Sequence, residues 1–410
     1  VKRKLFPIAL LAGVLFGGGS ASAQLVVGQY EDEAPLGTWN TFGAPSAPSI
    51  GLGGTQFAWA WDVSASLANP ALLLSLPRLA ASLSASYGAA SMFRYALVNT
   101  GPVESMSNLS VGVLGLDHGG LAYRTGAWAF ALALSAPESY GRPGIALVDG
   151  GYQLTFEQTG YLRVLHAGVA RRLSRGLSLG IGLNYATGKL ARTTVEQSAD
   201  ILRTVTITDD KQETFQGLYF NAGLTWTANA KLTAALVVRS AYVKESAAES
   251  LIRYEVPVEG TDIRIDAAAT NAYRQPWVVG TGLSYRLAKA WSLAAEAAWF
   301  GWSSYEVTSF DEPLVRTFRD IVKAGAGIQY LARAGSSGPS PRIPLRLGFS
   351  IDPQPMAAVH STYLRLTFGA GLEFRRIAVD LAGAVGRESG SGRDLRAGRI
   401  ALSCRYIFRE

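Results

Sequence analysis

From about residue 78 to the end, apolar side chains fall at every second position in run after run, with small or polar residues between them. Leu177, Leu179, Ile181, Leu183 and Tyr185 alternate with Ser178, Gly180, Gly182, Asn184 and Ala186. Leu218, Phe220, Ala222, Leu224 and Trp226 alternate with Gly217, Tyr219, Asn221, Gly223 and Thr225. The runs from Trp277 to Arg286 and from Tyr363 to Phe374 repeat the pattern. Successive side chains of a strand point to opposite faces, so each run reads as a strand with one apolar and one polar face. Such segments are centred near residues 84, 112, 131, 165, 181, 220, 236, 281, 295, 326, 347, 368, 381 and 403. After the first 20 residues no stretch approaches the ~18 uninterrupted apolar residues of a transmembrane helix. Any membrane crossing must therefore be made by strands, and strands in lipid must close into a barrel.

The connectors sharpen this reading. Ser174-Arg175-Gly176, Ala228 to Lys231, Ala288-Lys289-Ala290 and Arg375-Arg376 are tight links. Long polar stretches, about 189–213, 244–274 and 303–319, lie between them and read as loops. Short turns on one side and long connections on the other are the habit of bacterial outer-membrane barrels, whose short side is periplasmic. Aromatic residues near strand ends, among them Trp226, Trp277, Tyr285, Trp291, Trp299, Tyr330 and Phe374, fit interfacial girdles. One segment is irregular: between Tyr161 and Arg172 the alternation places Arg163 and Leu165 on one face, as a bulge would. The expectation is an all-β fold, a transmembrane antiparallel β-barrel of about 14 strands over residues 78–410.

The N-terminus differs. Lys2, Arg3 and Lys4, a short apolar stretch and Ala21-Ser22-Ala23 form an export signal over residues 1–23, and Gln24 after the expected cut argues against a lipid-anchored cysteine. Residues 24–77 are rich in Gly, Pro, Ala and Trp without alternation, and read as an irregular plug at the periplasmic end. Removing the three signal cations takes the formal charge from +7 to +4, and no basic cluster is interleaved with aromatics, so a nucleic-acid partner is not expected. Cys404 is the only cysteine and cannot form an internal disulfide. Its strand, with Ile400, Leu402, Cys404, Tyr406 and Phe408 on one face, resembles the aromatic-ended last strand of proteins handed to the barrel-assembly machinery, although Arg409 and Glu410 follow.

Four stretches resemble the FadL family of outer-membrane channels for long-chain fatty acids and other hydrophobic compounds. They are Asp62 to Leu76 with Asn69, Pro70 and Ala71; Phe215 to Val243 with Arg239-Ser240; Gln275-Pro276 to Tyr305 with Trp302-Ser303; and Leu345 to Leu372 with Arg346, Gly348 and Asp352-Pro353. The resemblance implies fourteen strands, a hatch carrying the Asn-Pro-Ala motif, a hydrophobic binding site and passive delivery, through a lateral gap or past the hatch. The stretches assigned to extracellular loops match the family poorly.

The three histidines, His118, His166 and His360, share no metal-ligand spacing, and His360-Ser361 has nothing nearby to orient an imidazole for hydrolysis. No catalytic residue, cofactor or metal is expected. Gly180, Gly182, Gly280, Gly282, Gly325, Gly327, Gly369 and Gly371 all point to the expected lumen, where they either make room for a plug or ligand or ease curvature. Arg239, Glu296, Lys323, Arg346, Arg365, Asp380 and Arg405 share that face, since charge facing lipid at mid-depth is costly. Lys323, Arg346 and Arg365 are candidates to meet a ligand carboxylate, against a simpler reading as a salt-bridge ladder with Glu296, Glu373 and Asp380. The expected function is passive uptake of a hydrophobic small molecule, with outer-membrane lipid as surroundings. The alternatives are a non-transporting adaptor barrel, which a lumen filled by aromatic side chains would favour, and a polar-solute porin.

Overall fold

The structure is a computed structural model that describes residues 46–92, 97–98, 101–102, 109–140, 142–149, 151–199, 202–309, 312–314, 318–333, 341–355, 357, 360–390 and 396–408. The expected signal peptide and residues 24–45 of the expected hatch lie outside the described residues.

Fourteen antiparallel strands form the described wall. They are β1 (Leu79–Met92), β2 (Leu109–Thr125), β3 (Trp128–Ser139, continued by Arg142–Asp149), β4 (Tyr152–Arg172), β5 (Leu177–Ala199), β6 (Thr204–Thr227) and β7 (Leu232–Arg239 and Tyr242–Val256). The circuit continues with β8 (Thr261–Gln275 and Val278–Arg286), β9 (Trp291–Phe300 and Glu306–Ser309), β10 (Ile321–Arg333), β11 (Arg342–Pro353), β12 (Thr362–Phe374), β13 (Ile377–Ser389) and β14 (Arg396–Ile407). Each strand pairs with its sequence neighbours, and β1 pairs with β14 from Ala80↔Ile407 to Ala90↔Ala397, which closes the ring. Every strand centre read from the sequence falls on one of these strands.

Burial follows the dyad. Along β5 the exposed Leu179, Ile181, Leu183 and Tyr185 alternate with Gly180, Gly182, Asn184 and Ala186, which are buried. Leu132, Leu218 and Leu381 are each more than half exposed on the outer face. So continuous an apolar exterior is incompatible with water and requires lipid. On β6 the outward apolar run ends at Leu218, and the outward residues beyond it are Gln216, Thr214, Gln212 and Asp210. From Leu218 to Trp226 that run spans about 26 Å along the strand at ~3.3 Å per residue, close to the apolar band of an outer-membrane barrel.

Two expectations need correction. The polar stretches 189–213 and 244–274 are mainly ladder rather than loop: β5 pairs with β6 up to Ala199↔Thr204, and β7 with β8 up to Val256↔Thr261. Above the lipid neither face has to be apolar, so the dyad fades while the hydrogen bonds continue. Second, β4 itself keeps its alternation, with Leu162, Val164 and His166 buried and Arg163 and Leu165 outward. The irregularity belongs to its neighbour, where the β3–β4 register shifts between Ser135 and Glu138.

Residues 46–77 run inside the ring. They hold two short helices, α1 (Ala47–Gly51) and α2 (Ala65–Ala68), and a 3-10 turn (Pro70–Ser75). Leu67, Leu73, Leu74 and Leu76 pack on the small inward residues Ala122, Ala129, Ala131, Ala133 and Ala170. Six of the eight inward glycines lie where this segment touches the wall, and Gly182 and Gly371 face wall side chains instead: a Cβ on Gly327 would come within 2.7 Å of Leu52 Cα, and one on Gly280 within 2.6 Å of the Phe57 ring.

Candidate functional site

The inner segment has little secondary structure, so its buried backbone groups depend on wall side chains for partners. Asn69, fully buried, caps the 3-10 turn: its Oδ1 accepts from the Ala71 N–H at 3.1 Å. Its Nδ2 donates to Phe57 O at 2.7 Å and to Thr225 Oγ1 on β6 at 3.1 Å. The Asn-Pro-Ala motif is thus a pin joining two parts of the inner segment to the wall. Pro70 suits the first position of the turn because its missing N–H would have no partner there. Asn221 donates to Ser66 O and Leu67 O, and its Oδ1 accepts from Asn184, which His166 contacts in turn. Glu296 Oε2 accepts the N–H groups of Gln56 and Phe57 at 2.6 and 3.0 Å. Ser403, Thr367 and Ser82 accept from the N–H groups of Ala47, Gly53 and Val63, and Arg405 donates to Trp61 O.

The three candidate cations do not converge on one point. Lys323 Nζ lies 2.9 Å from Asp352 Oδ1, and Arg365 donates to the other oxygen of the same carboxylate. Arg346 sits apart, 2.6 Å from Asp380, 3.0 Å from Gln329 Oε1 and over the Trp61 ring. Of the expected ladder acids, Asp380 takes Arg346, Glu373 takes Arg342 and Arg405, and Glu296 serves the inner segment instead. Asp352 was missed as the partner, although its even parity with Arg346 and Gly348 puts it on the inward face. Lys323, Asp352 and Arg365 line a cavity of about 80 Å³ with Ile50, Phe57 and Phe300. Sites for drug-sized ligands are usually about 300–1,000 Å³.

Aromatic side chains from β3, β6, β7 and β8 crowd the lumen near this cavity. The rings of Tyr140 and Phe215 are 5.5 Å apart, those of Phe215 and Tyr273 are 6.0 Å apart, and Tyr219 stacks on Tyr242 at 4.6 Å. Lys244 Nζ sits among them, 4.9 Å from the Phe215 ring, 3.1 Å from Tyr140 OH and 3.6 Å from Glu138. Trp302, Tyr305 and Phe318 form a second aromatic group, packed edge to face. His360 lies at the rim against Arg319, and among the described residues no three metal-ligating side chains meet.

The β2–β3 ladder stops well short of the ends of its two strands. β2 and β3 pair from Thr125↔Trp128 only as far as His118↔Ser135. Beyond that, residues 109–116 of β2 pair with β1 alone, and Glu138–Ser139 and Arg142–Asp149 of β3 pair with β4 alone. Both strands are distorted at this level. Asp117 is an extra residue in the β1–β2 register, so Asp117 and His118 are both buried. In β3 the break contains Pro137, which has no N–H for a ladder. Asp117 is held by Ser86 at 2.7 Å and by Arg399, while His118 lies 3.7 Å from Asp62 of the inner segment. The gap therefore borders the charged interior and the inner segment at once.

No curated protein matches this chain in sequence. Among solved structures it is similar to a Pseudomonas aeruginosa FadL homologue, at 15% identity and a TM-score of 0.67, covering 90% of this chain and 100% of that one. It is also similar to the Ralstonia pickettii toluene transporter TbuX (16%, TM-score 0.63, 90% and 100% covered) and to the CymD monoaromatic hydrocarbon channel (15%, TM-score 0.61, 91% and 99% covered). At these identities the likeness is one of fold, and the fold is that of the FadL-type outer-membrane barrels. A family model, BamG, matches residues 67–391, most of the wall together with the Asn-Pro-Ala pin, and the chain belongs to the BamG family.

Proposed function

We propose that this barrel exchanges hydrophobic small molecules, long-chain fatty acids or compounds like them, between the outer-membrane surface and the bilayer, passively and through the wall between β2 and β3. The observation that carries the reading is the end of the β2–β3 ladder at His118↔Ser135, where His118 lies 3.7 Å from Asp62 of the inner segment. The solved neighbours with a stated cargo are a toluene transporter and a monoaromatic hydrocarbon channel, which supports a hydrophobic cargo. In this reading the inner segment is a hatch, and Lys323 and Arg365 receive a carboxylate once Phe57 withdraws from the cavity they share. Arg346, held against Asp380, has a structural role. Insertion of the chain into the outer membrane by the barrel-assembly machinery belongs to the same proposal.

A second reading is favoured by the aromatic side chains gathered in the lumen and the small cavity beside Lys323: an adaptor barrel that transports nothing. Uptake of a labelled long-chain fatty acid, with a small sugar as control, in a Gram-negative host lacking its own hydrophobic channel separates the two. An Ala47→Cys/Ser403→Cys cross-link, made in a Cys404→Ser background, fixes the inner segment at a point where Ala47 N lies 2.7 Å from Ser403 Oγ. Fatty-acid uptake that survives the cross-link supports the lateral route, and uptake abolished by it assigns passage to hatch movement. No uptake by folded protein in the outer membrane leaves the adaptor reading.

A further inference from the structure

The outward face of β4 and β5 carries a feature that lipid transport does not explain. The last apolar row on this face is Leu165, Tyr185 and Leu218, in register across β4, β5 and β6 and each at least 45% exposed. The next row is Arg163, Thr187 and Gln216, and the one after it is Tyr161, Lys189 and Thr214. One row is about 7 Å along a strand, so Arg163 and Lys189 stand at headgroup depth on the side of the long ladders. Both cations use the same ring: the Arg163 guanidinium carbon is 4.1 Å and Lys189 Nζ 5.9 Å from the Tyr161 centroid.

Neither cation has a carboxylate partner among the described residues. The outward carboxylate in the Arg163 row is Glu245, three strands away and so about 14 Å off at the usual strand spacing. A surface ion pair is therefore not what orients them. The tyrosine holds two long side chains side by side, which reduces the entropy lost when they meet a common anion. Toward lipid at this depth the anions are headgroup phosphates, and the outer leaflet on the long-ladder side is built from phosphorylated glycolipid.

We propose that Arg163, Lys189 and Tyr161 form a binding site for a phosphate of the outer-leaflet glycolipid, beside the break between β2 and β3. Such a lipid, docked against β4, borders the gap from outside and fixes the depth of the barrel at that edge.

The test is native mass spectrometry of the full-length protein in detergent, titrated with diphosphorylated lipid A, its dephosphorylated form and phosphatidylglycerol. The diphosphorylated lipid is expected to bind, with affinity falling about 30-fold in Arg163→Gln/Lys189→Gln, from two interfacial charge contacts. Lys231→Gln, on a turn at the opposite end, is expected to leave it unchanged. Equal binding of the dephosphorylated lipid, which needs no variant, overturns the proposal. So does unchanged affinity in the folded double variant. Phosphatidylglycerol binding as tightly as lipid A would reduce the site to general attraction for anionic lipid and overturn the assignment to the outer leaflet.

Discussion

Replacing Asn69 by alanine removes three hydrogen bonds in a fully buried place: one to the Ala71 N–H, one to Phe57 O and one to Thr225 Oγ1. At about 1 kcal/mol each the loss is about 3 kcal/mol, and the stranded amide and carbonyl push it upward. The wall ladders contain none of these bonds, so the cost falls on docking of the inner segment rather than on the barrel. Amide hydrogen exchange on protein in detergent separates the two. Exchange across residues 56–76 is expected to accelerate by roughly 100-fold, the factor that about 3 kcal/mol represents, while β5, β6 and β12 keep wild-type protection. Unchanged exchange at Phe57 and Ala71 would refute the pin. Accelerated exchange throughout the wall would show that inner segment and barrel unfold as one unit, and would refute the separation drawn here.

Two further outcomes follow from the charged groups. Asp352→Asn removes the carboxylate shared by Lys323 and Arg365 and is expected to cost about 3 kcal/mol, read as a lower urea midpoint for unfolding from detergent micelles; a midpoint unchanged from wild type would mean that the two cations are satisfied elsewhere. At the tip of the β7–β8 ladder, a hydrogen bond from Arg253 holds the Asp262 carboxyl below the usual carboxylate range. A depressed carboxylate stabilises above its unfolded pKa and loses that contribution as pH falls through the folded one. Exchange protection of residues 253–262 should therefore be flat at neutral pH and fall only in acid, and a loss near pH 7 would contradict the assignment.

The parts of this molecule that were legible in sequence are those where lipid acts as the solvent. Leu179, Ile181, Leu183 and Tyr185 have to face hydrocarbon and their neighbours have to avoid it, which writes the strand into the chain letter by letter. Above the membrane that rule lapses, which is why the continuation of β6 from Thr206 to Glu213 passed for a loop although it pairs on both sides. The distortion near Arg163 was legible but placed on the wrong strand, because a shift in a neighbour's register leaves no mark in the sequence of β4. The inward cations followed from energetics alone. Their partner Asp352 depends on how β10, β11 and β12 align across the sheet, which is a fact of pairing rather than of composition. The hydrogen bonds to Asn69 join residues 12 and 156 positions apart, and no local pattern announces them.

The closure of β1 on β14 has a consequence for how the molecule is made. The residues that meet there, Ala80 with Ile407 through Ala90 with Ala397, are the most distant in sequence of any ladder in the wall. Ring closure of that span is the entropically slowest step, and until it happens both terminal strands present unpaired edges. The inner segment leads directly into β1, one of the two strands of this seam. Until that seam forms, the chain carries two unpaired strand edges, and the small inward residues that hold the inner segment are not yet gathered around one lumen.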